Sequence, residues 1–139
     1  MKHTVRELMH EDPITLEASS TALEASRKMR DAHIGDVLVT DNGKLNGIVT
    51  DRDLVVRCMA NGDDPAVTSI GSLCSGDLVT LSPDAEAKDA VKLMREKAIR
   101  RIPVVEADRA IGILSIGDLA QDRDPSSALS DISSAPPNQ

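Results

Sequence analysis

Gly47-Ile48-Val49-Thr50-Asp51-Arg52-Asp53-Leu54 returns 65 residues later as Gly112-Ile113-Leu114-Ser115-Ile116-Gly117-Asp118-Leu119. Both stretches read glycine, two aliphatics, a hydroxyl, two variable positions, aspartate and leucine. Working outward, the same offset holds without a gap from Val5 against Ile70 to Leu54 against Leu119. Leu8 meets Leu73, Thr15 meets Thr80, Ala22 and Ala25 meet Ala87 and Ala90, Met29-Arg30 meets Met94-Arg95, Ile34 meets Ile99 and Val39 meets Val104. An internal repeat of this length implies units that do not bury their apolar faces alone, so the pair is expected to share one core.

Within a repeat the order of elements follows from period and punctuation. Ile14-Thr15-Leu16 is a short β-prone run after Pro13, and Ser19 or Ser20 is placed to cap a helix that has Glu24 in its early turns. Ala22, Ala25, Met29 and Ala32 then fall on one helical face, as do Ala87, Ala90, Val91 and Met94, so each helix lays a stripe of small residues on a sheet. Val37-Leu38-Val39 and Ile48-Val49 flank Asp41-Asn42-Gly43, a hairpin signal, and Ile102 to Val105 and Ile111 to Leu114 repeat them around Ala107-Asp108. A second helix starts near Asp51, carries Leu54, Val55, Cys58 and Met59, and ends at Asn61-Gly62. Each half therefore reads β-α-β-β-α, an α/β (α+β) class. The repeats span 5–61 and 70–121, joined by a linker at 62–69. A Ser-, Pro- and Asp-rich tail at 123–139 is expected to be disordered.

Composition bounds the function. A chain of 139 residues that is 40% hydrophobic can build a real core. No run reaches the roughly 18 apolar residues of a membrane span and no apolar run follows the basic start, so a cytoplasmic location and no membrane partner are expected. Cys58 and Cys74 lack C-x-x-C spacing and read as small buried hydrophobes. His3, His10 and His33 have no metal-ligand spacing and are expected at the surface or at a cleft edge. A net charge of −7 and the absence of Phe, Tyr and Trp argue against nucleic acid as a partner. No G-x-S-x-G, Walker loop or H-E-x-x-H occurs, and the chain is not expected to be an enzyme.

The chemistry is concentrated where the third strand of each repeat meets its second helix. Thr50 and Ser115 sit at a helix N-terminus, where free N–H groups and the helix dipole favour a phosphate, and Asp53 and Asp118 one turn later can each accept two hydrogen bonds from a ribose diol. The same hydroxyl-x-x-Asp spacing is close to a capping box, in which the hydroxyl and the carboxylate satisfy the helix itself. Spacing leaves both readings open, because a cap would be duplicated as faithfully as a binding motif.

Taken together, the two β-α-β-β-α repeats, each closing on Gly-Ile-Val/Leu-Thr/Ser-x-x-Asp, and the run Arg101-Ile102-Pro103-Val104-Val105 resemble the tandem cystathionine-β-synthase (CBS) domain pair, or Bateman module, in its small stand-alone bacterial type. The resemblance covers about Val5 to Gln121. It implies repeats packed sheet to sheet about a pseudo-two-fold axis, with two related clefts. It further implies an adenine nucleotide (AMP, ADP or ATP) as ligand, no required cofactor, and a homodimer that signals to an unknown protein partner in trans. Carried over by position, Asp53 and Asp118 would hold ribose hydroxyls, and Thr50 and Ser115 would contact ribose or phosphate. Thr15 and Thr80 would border the base, with Val37 and Leu38, or Ile102 and Pro103, as aliphatic walls.

The repeats also differ. Leu38 stands where the second repeat has Pro103, and Asp36 stands where it has Arg101, which makes the first site the more acidic. Arg100 and Arg101 flank the second site and Gly117 admits close approach of a phosphate, whereas Arg52 lies inside the first motif. Two functions follow as expectations: a nucleotide sensor that converts binding into a conformational change, and a ligand-independent dimeric scaffold whose helix faces carry Leu54, Val55, Cys58, Met59, Leu119 and Ala120.

Overall fold

A computed structural model of the chain describes residues 3–74 and 78–123, apart from the side chains of Asp122 and Arg123. In chain order its elements are α1 (Val5–Leu8), β1 (His10–Glu11), β2 (Thr15–Glu17), α2 (Ala22–Ala32), β3 (Asp36–Asp41), β4 (Lys44–Thr50) and α3 (Asp51–Asp53). A π-helical segment (Leu54–Met59), a single 3-10 turn (Ile70–Ser72), α4 (Ala87–Lys97), β5 (Arg101–Glu106), β6 (Arg109–Ser115) and α5 (Ile116–Arg123) follow. The tail expected to be disordered lies, beyond Arg123, outside the described residues.

The described residues fall into two compact units, one contiguous (within Pro13–Leu78) and one split (within Met1–Asp12 and Val79–Gln139). In the contiguous unit, β2 runs parallel to β3 after the α2 crossover, and β3 and β4 form an antiparallel hairpin, giving the order β2-β3-β4. In the split unit the order is β1-β6-β5, with β1 antiparallel to β6, and the counterpart of β2 is reduced to one parallel bridge between Leu81 and Val104. The two hairpins turn in the same way. Asn42 and Gly43 have φ of 54° and 80°, and Ala107 and Asp108 have φ of 52° and 64°. Two successive positive φ values match the right-handed twist of the strands, a demand that Asn-Gly meets without strain and Ala-Asp does not.

The packing revises one sequence expectation. Each unit has a core cluster of its own: Ala22, Ala25, Met29, Val37, Val39, Val49 and Ile70 belong to one, and Val5, Ala87, Ala90, Met94, Ile102, Val104 and Leu114 to the other. What the repeats exchange is their leading segment. Val5 is fully buried in the split unit, where its N–H donates to the Ala85 carbonyl at 2.8 Å. Ile70 is fully buried in the contiguous unit, where its N–H donates to the Ser20 carbonyl at 2.8 Å. Likewise Ala87 donates to the His3 carbonyl and Ala22 to the Thr68 carbonyl, both at 2.9 Å. The stretch that opens each repeat in sequence therefore completes the unit built from the other.

Local details differ for physical reasons. Thr21, not Ser19 or Ser20, caps α2, with the Glu24 N–H donating to its hydroxyl at 3.1 Å in a reciprocal capping box. Ala32 lies outside the buried stripe and is exposed, because α2 ends one residue later at His33, which adopts φ 57°. Ala98, 65 residues on, ends α4 in the same left-handed conformation, with φ 55°. The helix expected from Asp51 ends before Gly62 (φ 77°) but widens into the π-helical segment, where the Ala60 N–H reaches the Val55 carbonyl five residues back at 2.8 Å.

Candidate functional site: two hydroxyl-x-x-Asp junctions

At each motif a hairpin strand delivers its last residue directly into a helix. Thr50 pairs across the ladder with Asp36, and Ser115 with Arg101. The first N–H of α3 and of α5 is taken by the residue just ahead of the partner strand, β3 or β5: Asp51 donates to the Gly35 carbonyl at 2.9 Å and Ile116 to the Arg100 carbonyl at 2.8 Å. Arg100 thus contributes its backbone to the junction while its side chain is exposed.

The capping geometry is made in both units. The Asp53 N–H donates to the Thr50 hydroxyl at 3.1 Å, and the Thr50 N–H donates to Asp53 Oδ2 at 2.9 Å. In the split unit the Asp118 N–H donates to the Ser115 hydroxyl at 3.2 Å, and the Ser115 N–H donates to Asp118 Oδ2 at 2.8 Å. The cap uses one oxygen of each carboxylate. The side chains of Asp53 and Asp118 are only 10% and 9% exposed, and the second oxygen of each meets a basic side chain of its own unit. Asp53 Oδ1 lies 3.5 Å from Arg57 Nε, and Asp118 Oδ1 lies 2.8 Å from His10 Nε2.

Strand alternation sorts the remaining sequence candidates. Val37 and Ile102 sit on the core face of their sheets, with 1% and 0% exposure, packed into the two hydrophobic clusters. These two side chains lie beneath the helices, on the face away from Thr50 and Ser115. Leu38 and Pro103 project from the opposite face, the face of Thr50 and Ser115, and are themselves buried. Thr15 is exposed beside Leu38 on the parallel ladder, and Thr80 is exposed next to the Leu81 bridge. Arg52 is exposed at the start of α3, its N–H donating to Asp51 Oδ1 at 2.8 Å, and Gly117 is buried in the first turn of α5. Asp36, across from Thr50, is buried, whereas Arg101, across from Ser115, is exposed.

Sequence reasoning left two site neighbours unassigned. Arg57 was legible in principle, because an Asp four residues before an Arg is a favourable helical pair. His10 was not: it reaches Asp118 through the pairing of β1 with β6, where His10 stands opposite Ile113. Cys74 lies near the first junction, and its thiol titrates above the ordinary value because burial disfavours the thiolate and the Asp53 carboxylate adds to this, with Arg57 acting in the opposite sense.

The family model for the CBS domain matches the chain twice, at residues 5–59 and 70–123, and each match carries one of these junctions. The chain belongs to the CBS-domain family. Among its relatives, the CBS domain-containing protein YhcV of Bacillus subtilis is 34% identical over 134 residues, covering 94% of this chain and 95% of YhcV. Hypoxic response protein 1 of Mycobacterium tuberculosis is 29% identical over 119 residues, covering 85% of this chain and 83% of that protein. A crystal structure of Hypoxic Response Protein I superposes with a TM-score of 0.79 at 28% identity, covering 86% of this CBS chain and 98% of the other. That structure has two coordinated zinc ions. Among the described residues of the present CBS pair, no three His, Cys, Asp or Glu side chains are grouped to hold a metal. CBS pairs are generally regulatory rather than catalytic modules. No helix among the described residues is long and apolar enough to cross a membrane.

Proposed function

We propose that this CBS pair is a regulatory module that binds an adenine nucleotide of the AMP, ADP or ATP type and transmits occupancy to a partner protein. The observation that carries the reading is the division of labour within each carboxylate: Oδ2 of Asp53 and of Asp118 is spent on the cap, while Oδ1 faces a basic side chain that a ribose hydroxyl can replace. Capping and ligand binding are therefore compatible in one residue. Leu38 and Thr15, or Pro103 and Thr80, would border the base, and Arg100 and Arg101 favour phosphate at the second junction. The buried Asp36 makes the first junction the poorer phosphate site.

With no Trp, Tyr or Phe, the protein barely absorbs at 260–280 nm, so a co-purified purine stands out against it. The test is the ultraviolet spectrum of the purified protein, then chromatography and mass spectrometry of whatever denaturation releases. A released adenine nucleotide is the expected result. A clean spectrum, followed by no thermal shift with AMP, ADP or ATP, sinks the reading.

A second reading, a dimeric scaffold, is favoured by the π-helical segment, where Val55, Val56 and Met59 are 53%, 47% and 65% exposed. An apolar face of this kind is a self-association surface in waiting. Replacing Val55 and Met59 by Ser should turn a sedimenting dimer into a monomer without unfolding it. A wild-type protein that is monomeric at micromolar concentration removes the scaffold.

A further inference from the structure

The two junctions differ in what occupies the second carboxylate oxygen. Asp53 Oδ1 has an arginine at 3.5 Å, a group that stays charged at every physiological pH. Asp118 Oδ1 has the imidazole of His10 at 2.8 Å, a shorter contact made by a side chain that is 73% exposed and lies on a two-residue edge strand. We propose that His10 is a functional residue of the second site, an internal competitor for Asp118 whose protonation lowers the affinity of this unit for a ribose-bearing ligand. The inference rests on the nucleotide reading above.

The chemistry is direct. Asp118 is nearly buried, its Oδ2 is fixed by the Ser115 N–H, and a ribose diol that approaches the carboxylate must take Oδ1 from His10. A protonated imidazole adds an ion pair to the hydrogen bond that a neutral one already donates to the carboxylate, so it holds Oδ1 more tightly. Imidazole is the side chain whose charge changes within the cellular pH range.

Among the described residues, His10 is the basic group seen at that oxygen. Of the elements packed against β1, α1 carries Arg6 and Glu7: Arg6 pairs with Glu106 at 2.9 Å, and Glu7 receives hydrogen bonds from Thr4 and lies near His3. On β6, Arg109 stands at the hairpin end of the strand, across from Glu106, and Arg101 lies across the ladder from Ser115. Glu11 and Asp12 follow His10 itself and carry the wrong sign to compete for a carboxylate. The first site, lacking a titrating competitor, serves as the control inside the same molecule.

The experiment is an AMP titration of the full chain followed by amide NMR at pH 5.5 and 8.0, with the Gly117 amide reporting the second site and the Asp53 amide the first. Relative to the first site, the second should bind about twofold to fivefold more weakly at pH 5.5, the range of an exposed ion pair. His10→Ala should bring the ratio to the same value at both pH values, and repeating the titration with adenosine removes the titration of the AMP phosphate. His10→Lys should hold the second site in its weaker state throughout. If the ratio is independent of pH in the wild type, or its change survives in His10→Ala, the competitor role is wrong while the nucleotide reading stands. If the Asp53 amide responds and the Gly117 amide does not in any variant, His10 has no site to regulate. If neither amide responds to AMP, ADP or ATP, the nucleotide reading falls and this inference with it.

Discussion

Asp118 carries two duties on two oxygens, and substitutions can separate them. Asp118→Ala removes the acceptor that satisfies the Ser115 N–H and should cost about 1 kcal/mol in urea denaturation, the worth of a helix cap, as well as nucleotide affinity. Asp118→Asn keeps a carbonyl oxygen for the cap, so stability should hold within about 0.5 kcal/mol while affinity drops. Equal stability loss in both variants would mean that the charge, not the acceptor, holds the helix. Cys74 supplies a pH dependence. Its folded-state pKa is raised, so the native chain holds the thiol proton more tightly than the unfolded chain. That contribution is full below the ordinary thiol value of about 8.5 and is lost as pH rises past it toward the folded-state value. Stability should therefore fall more steeply above pH ~8.5 in the wild type than in Cys74→Ala, a comparison that thermal melts across that range would read. At this scale the sequence offered the Thr50–Asp53 and Ser115–Asp118 spacings and their two uses. It did not reveal that both uses coexist, because that depends on which oxygen faces which way.

Among the elements, the hairpins and the long helices were readable in advance because their signals are local: short apolar runs along β3 to β6, the Asn42-Gly43 turn, and the alanine-methionine stripe. The face of each strand residue was not. Val37 and Leu38 are neighbours in sequence yet lie on opposite sides of a sheet, and only the ladder pairing of Leu38 with Ile48 and Val37 with Val49 decides which one the helices cover. Glycines at the strand centres mark another non-local contact. A Cβ at Gly47 would lie 3.0 Å from the Cys74 sulfur, at a side chain that can adjust, whereas a Cβ at Gly112 would lie 2.5 Å from Met9 Sδ and 2.8 Å from the His10 carbonyl. Gly112→Ala should therefore be the more destabilising, by about 1–3 kcal/mol, because the backbone of β1 must move. It should also disturb the His10–Asp118 contact. Chemical denaturation of both variants tests the ranking, and equal losses would show that β1 gives way as easily as a side chain.

For the whole molecule, the repeat seen in the sequence and the unit seen in the fold are cut at different places. Nothing in the residue pattern signals this, since a segment that leads its repeat looks the same whether it packs onto its own repeat or onto the other. The exchange makes a terminal residue a core residue: Val5→Ala should cost roughly 2 kcal/mol, as a mid-chain core truncation would, and a loss near zero in denaturant would place α1 outside the cooperative core.

The same exchange sets an order on synthesis. Residues 3–12 are translated before residues 13–78, yet their partners, from Pro83 to α5, come from the far end of the chain. At ~5–20 residues per second, the apolar side chains of Val5, Leu8 and Met9 wait roughly 5–20 s for their sheet. During that interval the contiguous unit can fold beside them. The earliest-made part of the split unit is thus idle longest, and a ribosome that stalls late would release a half-finished protein with its hydrophobic leader still unclaimed.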